Sequence, residues 1–452
     1  MAEVLIISAN ATVDPHPVFP LGMTMVAEDL RKHGHSVTEL DYLIEENFLQ
    51  YLGGFLKTKQ FDAIGLSLRN IDNCSFQETE SYSDFYGEIV KEIREHTKIP
   101  IILGGSAFSL FPNELLQSTG GDYGITGEGE GIFAELIQNL QLGRPPANRI
   151  LSSHRPLSGE EIASPKRQKN LTDFYLKNGG MLNIQTKRGC PFQCAYCSYP
   201  LLEGNFYRYR RPEQVADEIE NIVNEFGADY YFIADSVFND AKGHYLEIAE
   251  EIIKRKIKTP WMAYMKPQKF MPNEIETLKR AGLHAVEWGT DAASDRTLKG
   301  MGKSFSWSDV EESSRLFSEA EINCAHFIIF GGPEETEETV KEGLANIEML
   351  NNSVVFASTG IRILPGTKIR ERAIKEKIIS GTENLLQPKF YFSPFVKFEY
   401  IDKMILESFG SRIDRIYPAG RDTDQVKHLH KLGFNGPIWD MILNPKSRRR
   451  KL

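Results

Sequence analysis

The first third of the chain alternates short apolar runs with amphipathic stretches. Runs rich in valine, isoleucine and leucine predict five strands, at residues 4–8, 37–41, 63–68, 99–103 and 123–126. Residues 21–33 carry apolar positions at helical spacing and are followed by Gly34, a residue typical of helix C-termini. Strands and helices that alternate in this way form parallel sheets covered by helices on both faces. Residues 1–145 are therefore predicted to form a five-stranded, flavodoxin-like, doubly wound α/β domain.

The segments that follow the predicted strands are rich in glycine and polar residues. They comprise residues 10–22, 69–74, 104–111 and 127–131. In a doubly wound sheet, ligands bind beyond the carboxyl ends of the strands, and glycine lets the backbone approach a large ligand closely. The sheet alone could bind a flavin, a nucleotide or cobalamin. The G-x-G-x-x-G pattern of dinucleotide sites is absent after the first strand, which disfavours a dinucleotide.

A second alternation of strands and helices begins near residue 179. Six strands are predicted, at residues 182–186, 229–234, 261–264, 285–289, 325–330 and 358–363. Six β/α units are fewer than the eight of a complete barrel, so residues 179–370 predict a partial (β/α)6 barrel with its active site at the carboxyl ends of the strands. The proline-containing segment 146–178 predicts a linker. Residues 371–452, with an aromatic-rich stretch at 389–400, predict a small C-terminal region.

Composition and charge narrow the class of protein. The 452 residues are 41% hydrophobic and 25% charged, which suits packed globular domains rather than a disordered or fibrous chain. No apolar run approaches the ~18 residues of a membrane helix, and the first residues lack the basic segment of a signal peptide. We therefore expect no membrane span and a cytoplasmic protein. The net charge of −9 argues against a nucleic-acid partner, and the basic run at 446–451 is expected to be a solvated tail.

The most specific feature of the sequence is a group of three cysteines. Cys190, Cys194 and Cys197 lie in GCPFQCAYCSYP, a C-x3-C-x2-C spacing directly after a predicted strand. Thiolates this close together suit zinc or an iron–sulfur cluster. A structural zinc ion requires four protein ligands, yet Cys74 and Cys324 are far away in sequence and no histidine lies two to five residues from the motif. A cubane with three thiolate ligands and one open iron therefore fits better than a zinc knuckle with a distant fourth ligand.

The cysteine segment resembles the signature of the radical S-adenosylmethionine (SAM) enzymes, with the aromatic residue Tyr196 just before the last cysteine. The resemblance implies that Cys190, Cys194 and Cys197 bind a [4Fe–4S] cluster, whose open iron chelates the methionine amino and carboxylate groups of SAM. An electron from the cluster would cleave the sulfonium and give a 5′-deoxyadenosyl radical. An electron donor such as flavodoxin or ferredoxin is implied as a partner.

The same resemblance indicates where SAM binds in the barrel. Asp235, in IADSVF, ends the second predicted strand, where related enzymes place an acidic residue near the methionine amino group. Glu287 and Asp291, in VEWGTD, are candidates for the ribose hydroxyls. For each position the alternative is a helix N-cap or a tight βα turn, and this alternative is strong for Asp291. The expected SAM contacts are Tyr196, Asp235, Glu287, Gly331, Gly332 and Arg362.

The N-terminal domain resembles the cobalamin-binding domains that are fused ahead of radical SAM barrels. The likeness rests on a loop that leads through Pro20 into the first helix, and on the glycine- and serine-containing ends of the third, fourth and fifth strands. The residues expected to contact cobalamin are Leu21, Gly22, Ser67, Arg69, Asn70, Gly104, Gly105, Ser106, Gly127 and Glu128.

One segment departs from the cobalamin proteins in which a histidine replaces the lower base. Their D-x-H-x-x-G motif reads DPHPVF here, so Asp14 and His16 are present but Phe19 replaces the glycine. Either His16 binds cobalt or the lower face has no protein ligand. The second alternative is favoured because two prolines flank His16. Arg69 and Asn70 are then candidates for lining the lower face.

The whole resemblance implies a cobalamin-dependent radical SAM enzyme, above all a C-methyltransferase acting on an unactivated carbon of a small-molecule or lipid-like substrate. One SAM would provide the methyl group through cobalamin, and a second would generate the radical that removes hydrogen from the substrate. Two alternatives stay open. One is a radical cyclase or rearrangement enzyme in which cobalamin carries no methyl group. The other is a non-catalytic cobalamin-binding sensor or carrier, against which the intact cysteine triplet speaks.

Overall fold

A computed structural model of the chain describes residues 1–153, 155–421 and 423–444, so the basic run at 446–451 lies outside the described residues. The strands are β1 (Glu3–Ser8), β2 (Ser36–Asp41), β3 (Ala63–Ser67), β4 (Ile101–Gly104), β5 (Tyr123–Thr126), β6 (Ile150–Ser152), β7 (Leu182–Ile184), β8 (Lys187–Arg188), β9 (Arg208–Tyr209), β10 (Tyr231–Ile233), β11 (Trp261–Met265), β12 (Leu283–Asp291), β13 (Asn323–Phe330), β14 (Ser353–Thr359), β15 (Ile361–Arg362), β16 (Phe390–Tyr391) and β17 (Arg415–Ile416).

The helices cover both sheets and the connections between them. They are α1 (Leu21–Lys32), α2 (Phe48–Thr58), α3 (Ser83–His96), α4 (Ser106–Leu110), α5 (Pro112–Thr119), α6 (Ile132–Gln141), α7 (Lys169–Gly179), α8 (Tyr199–Glu203), α9 (Pro212–Asn224), α10 (His244–Lys254), α11 (Pro272–Arg280), α12 (Asp295–Gly300), α13 (Trp307–Glu319), α14 (Glu337–Glu348), α15 (Lys368–Lys375), α16 (Phe398–Phe409), α17 (Thr423–Lys431) and α18 (Asp440–Leu443).

The N-terminal sheet is parallel, with the strand order β2-β1-β3-β4-β5-β6. Both faces of β1 are buried: Leu5 and Ile7 join the core with α2, α3 and α5, and Val4 and Ile6 join the core with α1 and α6. The predicted doubly wound fold is confirmed. Because the order reverses direction between β1 and β3, the loops after these strands leave a crevice at the carboxyl edge, where ligands bind in such sheets.

The predicted number of strands in this sheet is wrong by one. Ile150–Ser152, inside the segment predicted as a linker, pairs with β5 as a parallel edge strand. A three-residue edge strand is too short to show an alternation of apolar and polar residues. The same segment also contains α7, whose Tyr175 hydroxyl donates to Asp41 at 2.8 Å and ties the connection to the first domain.

The second sheet is also parallel, with the strand order β7-β10-β11-β12-β13-β14-β17. Its end strands β7 and β17 do not pair with each other, so the sheet is a partial barrel, as predicted. The last strand, β17, comes from the region beyond residue 371, and α18 of that region contacts β13 and β14. The C-terminal residues therefore add a seventh strand to the partial barrel, for which six strands were predicted.

The predicted strand at 358–363 is misplaced. The observed strand β14 ends at Thr359, and Gly360 follows with φ +75°. A Cβ atom on Gly360 would lie 2.6 Å from the ring of Phe392, so glycine is required there for close packing. Beyond this break the chain forms β15, which pairs antiparallel with β16.

Along the stretches that the structure covers, every helix is too short or too polar to traverse a bilayer.

Candidate active site between the two domains

The three cysteines lie on a loop that follows β8 and is fixed by the backbone on several sides. The Cys190 N–H donates to the Gly204 carbonyl at 3.0 Å, and the Ala195 N–H donates to the Met301 carbonyl at 2.8 Å. Gly189, with φ +86°, starts the loop, and a Cβ atom there would lie 2.0 Å from the carbonyl oxygen of Phe206. Only glycine fits this approach, so the sequence GCPFQC folds into one defined turn. We call residues 189–198 the cluster loop.

The spacing of the thiols favours a cluster over a zinc ion. In tetrahedral zinc sites with Zn–S near 2.3 Å, the sulfurs lie about 3.8 Å apart. In the parts of the chain that the structure describes, the only three potential ligand atoms that lie within 4.8 Å of one another are those of Glu92, Glu95 and His96, a partly exposed group on α3. The sulfurs of the three cysteines are therefore spread more widely than one zinc ion allows. This spread suits the corners of a larger centre.

A cavity of about 440 Å³ adjoins the cluster loop. All three cysteines line it, together with aromatic and apolar residues, two lysines, several serines and Asp291 of β12. This cavity, the cluster cavity, is lined by Cys190, Phe192, Cys194, Tyr196, Cys197, Ser198, Tyr199, Ser236, Val237, Tyr264, Met265, Lys266, Trp288, Gly289, Asp291, Gly302, Lys303, Ser304, Phe305, Phe327 and Leu364.

A charged network holds Tyr196 beside the cysteines. The Tyr196 hydroxyl donates to Asp291 Oδ2 at 2.6 Å, and Lys303 forms an ion pair with the same carboxylate. Burial disfavours the ammonium form of Lys303, but Asp291 and Cys194 outweigh it and raise the pKa of Lys303. The cavity therefore keeps a fixed cation near the thiols. The sequence left Asp291 as a ribose candidate or a turn residue, because its partner Lys303 is not visible in the sequence; its φ is +61°.

A second cavity, of about 620 Å³, lies at the carboxyl edge of the N-terminal sheet. We call it the sheet cavity. It is lined by every residue predicted to contact cobalamin: Leu21, Gly22, Ser67, Arg69, Asn70, Gly104, Gly105, Ser106, Gly127 and Glu128. The barrel contributes Asn183, Gln185, Arg188, Ser198, Tyr199, Leu202, Glu203, Ala234 and Leu364. The large ligand expected at the switch point would thus be enclosed by both domains.

The two cavities meet. Ser198, Tyr199 and Leu364 line both of them. Tyr199 begins α8 directly after the cluster loop and is 42% exposed. A molecule at this junction would contact the contents of both cavities.

The glycines of the sheet cavity fit a bulky ligand. A Cβ atom on Gly22 or Gly127 would have no atom within 4 Å, so their backbone faces open space. Gly105 is different: its φ is +93°, and a Cβ atom would lie 2.5 Å from the carbonyl oxygen of Leu68. Ser106 then opens α4 and donates to the Arg69 carbonyl at 2.5 Å. The open backbone at Gly22 and Gly127 lets a large, flat ligand approach the edge of the sheet closely.

We expect Gly22→Leu to weaken cobalamin binding by at least about tenfold with little loss of stability, because the new side chain enters open cavity space where the ligand lies. Equilibrium titration with cobalamin, followed by its visible absorbance, measures the effect. Gly54→Leu is the matched control, since Gly54 also lies on a helix with no atom within 4 Å but outside the cavity. Equal cobalamin affinities of the two variants would contradict this placement of the ligand.

Of the residues considered for the lower face of cobalamin, Arg69 and Asn70 line the sheet cavity and His16 does not. Arg69 is exposed in the cavity, and Asn70 Nδ2 donates to Thr12 Oγ1 at 3.2 Å. His16 is not among the cavity-lining residues; its ring packs edge-on against His430 at 5.5 Å. Burial, with the nearby His430 and Arg69, lowers the pKa of His16 to about 3. His16 therefore lies outside the cavity lining, and the absence of a histidine ligand on the lower face stays a prediction.

Asp235 is buried next to the cluster loop but outside both cavity linings. Its carboxylate accepts the Thr186 N–H at 2.7 Å and also the Thr186 hydroxyl, and the Lys187 N–H lies at 3.3 Å. Burial raises the pKa of Asp235, although the charge of Lys187 and these donors oppose it. The carboxylate thus fixes the end of β7 in the structure, and its contact with SAM stays a prediction.

Glu287 points to the barrel interior. Its Oε1 accepts the indole N–H of Trp439 at 2.9 Å, which links β12 to the residue before α18. Burial raises the pKa of Glu287 from 4.5 to about 7. The residue lies outside the lining of the cluster cavity, and its contact with the ribose stays a prediction.

The raised pKa of Glu287 predicts a pH-dependent stability. Between pH 4.5 and 7 the folded protein holds a proton on Glu287 that the unfolded chain releases. The contribution of this proton to the free energy of unfolding is fully present below about pH 4.5 and is lost as the pH rises through 7. We expect the stability of Glu287→Gln relative to wild type to rise by about 2–3 kcal/mol from pH 5 to pH 8. Urea unfolding at both pH values measures it. A difference that does not change with pH would mean that Glu287 is ionised in the folded protein.

The remaining predicted SAM residues lie against protein atoms rather than in the cavity lining. A Cβ atom on Gly331 would meet the ring of Phe392 at 2.7 Å, and one on Gly332 would meet Met301 Sδ at 3.1 Å. Arg362 donates through Nε to Asp72 Oδ2 at 2.8 Å. Asp72 follows β3, so Arg362 joins the barrel to the first domain, and the SAM contacts of all three residues stay predictions.

A buried group of charges joins the domains directly beside the cluster loop. Arg188 donates to Glu128 Oε1 at 2.8 Å and to Glu130 Oε1 at 2.6 Å, and Arg208 donates to Glu128 Oε1 at 2.8 Å. We call these four side chains the interdomain ion cluster. The Glu128 carboxylate also accepts the N–H of Leu157 at 2.8 Å. Because both of its oxygens are hydrogen-bonded within the protein, we expect Glu128 to contact cobalamin through its backbone or its methylene groups.

The comparisons with known proteins agree with this arrangement. Residues 6–137 match the B12 binding domain, and residues 184–345 match the Radical SAM superfamily. An uncharacterised methyltransferase of Pyrococcus horikoshii is 25% identical over 378 residues, covering 80% of this chain and 79% of that protein. The tryptophan 2-C-methyltransferase of Streptomyces laurentii is 24% identical over 427 residues, covering 77% of this chain and 71% of that protein.

A solved structure shares the fold over nearly the whole chain. The radical SAM methyltransferase TsrM from Kitasatospora setae superposes with a TM-score of 0.87 at 22% identity and covers 98% of both chains. That protein has been solved with tryptophan and a SAM analogue, and with cobalamin and a [4Fe–4S] cluster. At this identity the likeness shows the fold, which has the same two-domain architecture.

Proposed function

The chain belongs to the cobalamin-dependent radical SAM enzymes, and on this basis we propose that it transfers a methyl group to an unactivated carbon of a small-molecule substrate. The junction of the two cavities at Ser198, Tyr199 and Leu364 carries the proposal. A substrate bound at this junction would be accessible both from the cluster cavity and from the sheet cavity. Methyl transfer is favoured over cyclisation because three relatives that align over three quarters of this chain or more are described as methyltransferases, whereas the cyclases align over little more than half of it.

When bound, the [4Fe–4S] cluster and SAM supply a 5′-deoxyadenosyl radical, and cobalamin supplies a methyl carrier. Cys190, Cys194 and Cys197 would hold the cluster, and the glycine-rich edge of the N-terminal sheet would hold cobalamin. The interdomain ion cluster fixes the cluster loop relative to that edge, since Arg188 is two residues from Cys190 and contacts both carboxylates of the β5–α6 loop.

Lys266 offers a binding group for a carboxylate in the cluster cavity. Its Nζ lies 5.3 Å from the centre of the Phe192 ring and donates to Gln268 Oε1 at 3.2 Å. Within the described ranges no carboxylate forms an ion pair with Lys266, and burial lowers its pKa although the charge of Asp309 opposes this. An anionic group of SAM or of the substrate would gain a partly desolvated ion pair here.

The walls of the cluster cavity favour an apolar or aromatic substrate portion. Phe192, Tyr264, Phe305 and Phe327 present rings to it. Aromatic walls exclude water and so protect a carbon radical from side reactions. Aromatic side chains also bind flat or apolar groups through area burial and ring contacts. The aromatic stretch at 389–400, in contrast, packs largely against other rings, as Phe392 does against Phe76 at 4.7 Å.

The test is product analysis with anaerobically reconstituted, cobalamin-loaded protein, reductant and candidate substrates that combine a ring with a carboxylate. We expect 5′-deoxyadenosine and S-adenosylhomocysteine to form together with a product heavier by one methyl group. Deoxyadenosine with a rearranged but unmethylated product would favour the cyclase alternative. Cobalamin binding without any SAM-derived product would overturn the enzymatic assignment.

A further inference from the structure

Glu203, the last residue of α8, is hydrogen-bonded to the cluster loop. Its Oε2 accepts the N–H of Gly189 at 3.1 Å, one residue before Cys190. The carbonyl of the next residue, Gly204, accepts the N–H of Cys190 at 3.0 Å. The end of α8 therefore fixes the stretch of backbone that carries the first of the three thiols.

Glu203 also belongs to the wall of the sheet cavity. It lines that cavity together with its neighbour Leu202, and neither residue lines the cluster cavity. Among the described residues that line the sheet cavity and lie outside the cluster loop, only Glu203 forms a side-chain hydrogen bond to that loop. One side chain therefore contacts both the space predicted for cobalamin and the backbone that carries the cluster.

The second oxygen of the Glu203 carboxylate is held by Gln185. The Gln185 Nε2 donates to Glu203 Oε1 at 3.1 Å, and the Gln185 Oε1 accepts Arg188 Nε at 3.0 Å. Gln185 lines the sheet cavity as well, and Arg188 belongs to the interdomain ion cluster. Because both oxygens have partners, a displacement of the carboxylate would break its bond either to Gln185 or to the cluster loop.

We propose that Glu203 is a positioning residue that couples the two cofactor sites, so that cobalamin stabilises the cluster and the cluster tightens the binding of cobalamin. Cobalamin against this wall removes water from the carboxylate and strengthens its hydrogen bond to Gly189, because hydrogen bonds are stronger at low dielectric. The cluster fixes Cys190 and with it the neighbouring N–H that orients Glu203, so cobalamin meets a wall that is already ordered.

The coupling is reciprocal. Two ligands that favour the same arrangement of a protein raise each other's affinity by the same factor, and such factors commonly lie between about 5 and 150. The bonds of Glu203 to Gly189 and Gln185 are the arrangement that both cofactors favour here. The inference concerns the two cofactors alone and does not depend on whether the reaction is methyl transfer or cyclisation.

The test measures the affinity for hydroxocobalamin in two forms of the full chain, one with a reconstituted cluster and one stripped of iron by a chelator. Anaerobic ultrafiltration separates free from bound ligand. We expect wild type to bind hydroxocobalamin about tenfold more tightly with the cluster than without it. In Glu203→Leu this ratio falls to about one, because the acceptor for Gly189 is lost. Glu203→Gln keeps an oxygen that accepts this N–H and keeps a ratio of about fivefold or more.

Leu202→Ala is the matched control, because Leu202 lines the same cavity from the same helix without a hydrogen bond to the cluster loop. We expect it to weaken hydroxocobalamin binding equally in both forms, so that its ratio stays at the wild-type value. The reciprocal measurement is iron release to a chelator, which hydroxocobalamin should slow in wild type and Leu202→Ala but not in Glu203→Leu.

A wild-type ratio near one would overturn the coupling, as would a Glu203→Leu ratio equal to that of wild type. A ratio lost equally in Leu202→Ala would overturn the assignment to Glu203. If Glu203→Leu does not fold, Gln185→Leu replaces it, because it removes the donor to Glu203 Oε1 and frees the carboxylate to move. We expect its ratio to fall below half of the wild-type value, and an unchanged ratio would overturn the proposal.

Discussion

Replacing Cys194 with alanine is expected to abolish the chemistry while leaving the N-terminal domain able to bind cobalamin. Two thiolates cannot retain a cubane that needs three, so the brown absorbance and the acid-labile sulfide should be lost. Formation of 5′-deoxyadenosine should fall by several orders of magnitude. Absorbance spectra, iron and sulfide content, and product analysis of the reconstituted variant measure the effect.

Cys324→Ala is the matched control for this loss. Cys324 is buried in β13, with its sulfur 3.6 Å from the carbonyl oxygen of Ile322, and lines neither cavity. It should keep the cluster and the deoxyadenosine yield, with some loss of stability from the cavity that the substitution leaves. A Cys194→Ala variant with a full cluster and full turnover would show that these thiols do not form the catalytic centre.

Removing Arg188 is expected to have the largest effect on the junction of the domains. Arg188→Ala leaves the carboxylate of Glu130 buried without its ion-pair partner, and it leaves Glu128 with Arg208 as its remaining cation. Breaking a buried ion pair on one side costs about 3–5 kcal/mol, because an uncompensated charge remains. Urea unfolding followed by tryptophan fluorescence measures this loss at the barrel, which contains Trp261, Trp288, Trp307 and Trp439.

The same substitution at a surface pair is the control. Arg155 forms a double hydrogen bond with Glu161, at 2.7 and 2.5 Å, but both side chains are in solvent. Arg155→Ala should leave the unfolding midpoint unchanged, because solvent replaces the pair. If Arg188→Ala also left the unfolding midpoint unchanged, the interdomain ion cluster would not hold the cluster loop against the sheet cavity.

The elements that could be predicted from the sequence are those whose pattern lies within a short segment of the chain. Strands buried on both faces show as continuous apolar runs, which is why β1, β3 and β5 lie where the sequence predicts them. The cysteine spacing and the glycine-rich strand ends are local as well. All residues predicted to contact cobalamin therefore lie together in one cavity.

The parts that it missed depend on contacts between distant residues. Arg362 lies in the last predicted strand and is predicted to contact SAM, but its hydrogen bond to Asp72, 290 positions away in the chain, could not be predicted from the sequence. The ion pairs of Glu128 with Arg188 and of Asp291 with Lys303 likewise join residues that the sequence pattern does not connect. A titratable side chain at a strand end has several possible partners, and only the packed structure selects one.

The central claim is that Cys190, Cys194 and Cys197 hold a cubane with an open iron. The most direct test is electron paramagnetic resonance of the anaerobically reconstituted and reduced protein, recorded before and after addition of SAM. We predict the signal of a reduced [4Fe–4S] cluster whose g-values shift when SAM binds the open iron. A cluster signal that SAM leaves unchanged, or no cluster signal in protein that instead contains one zinc ion per chain, would contradict the claim.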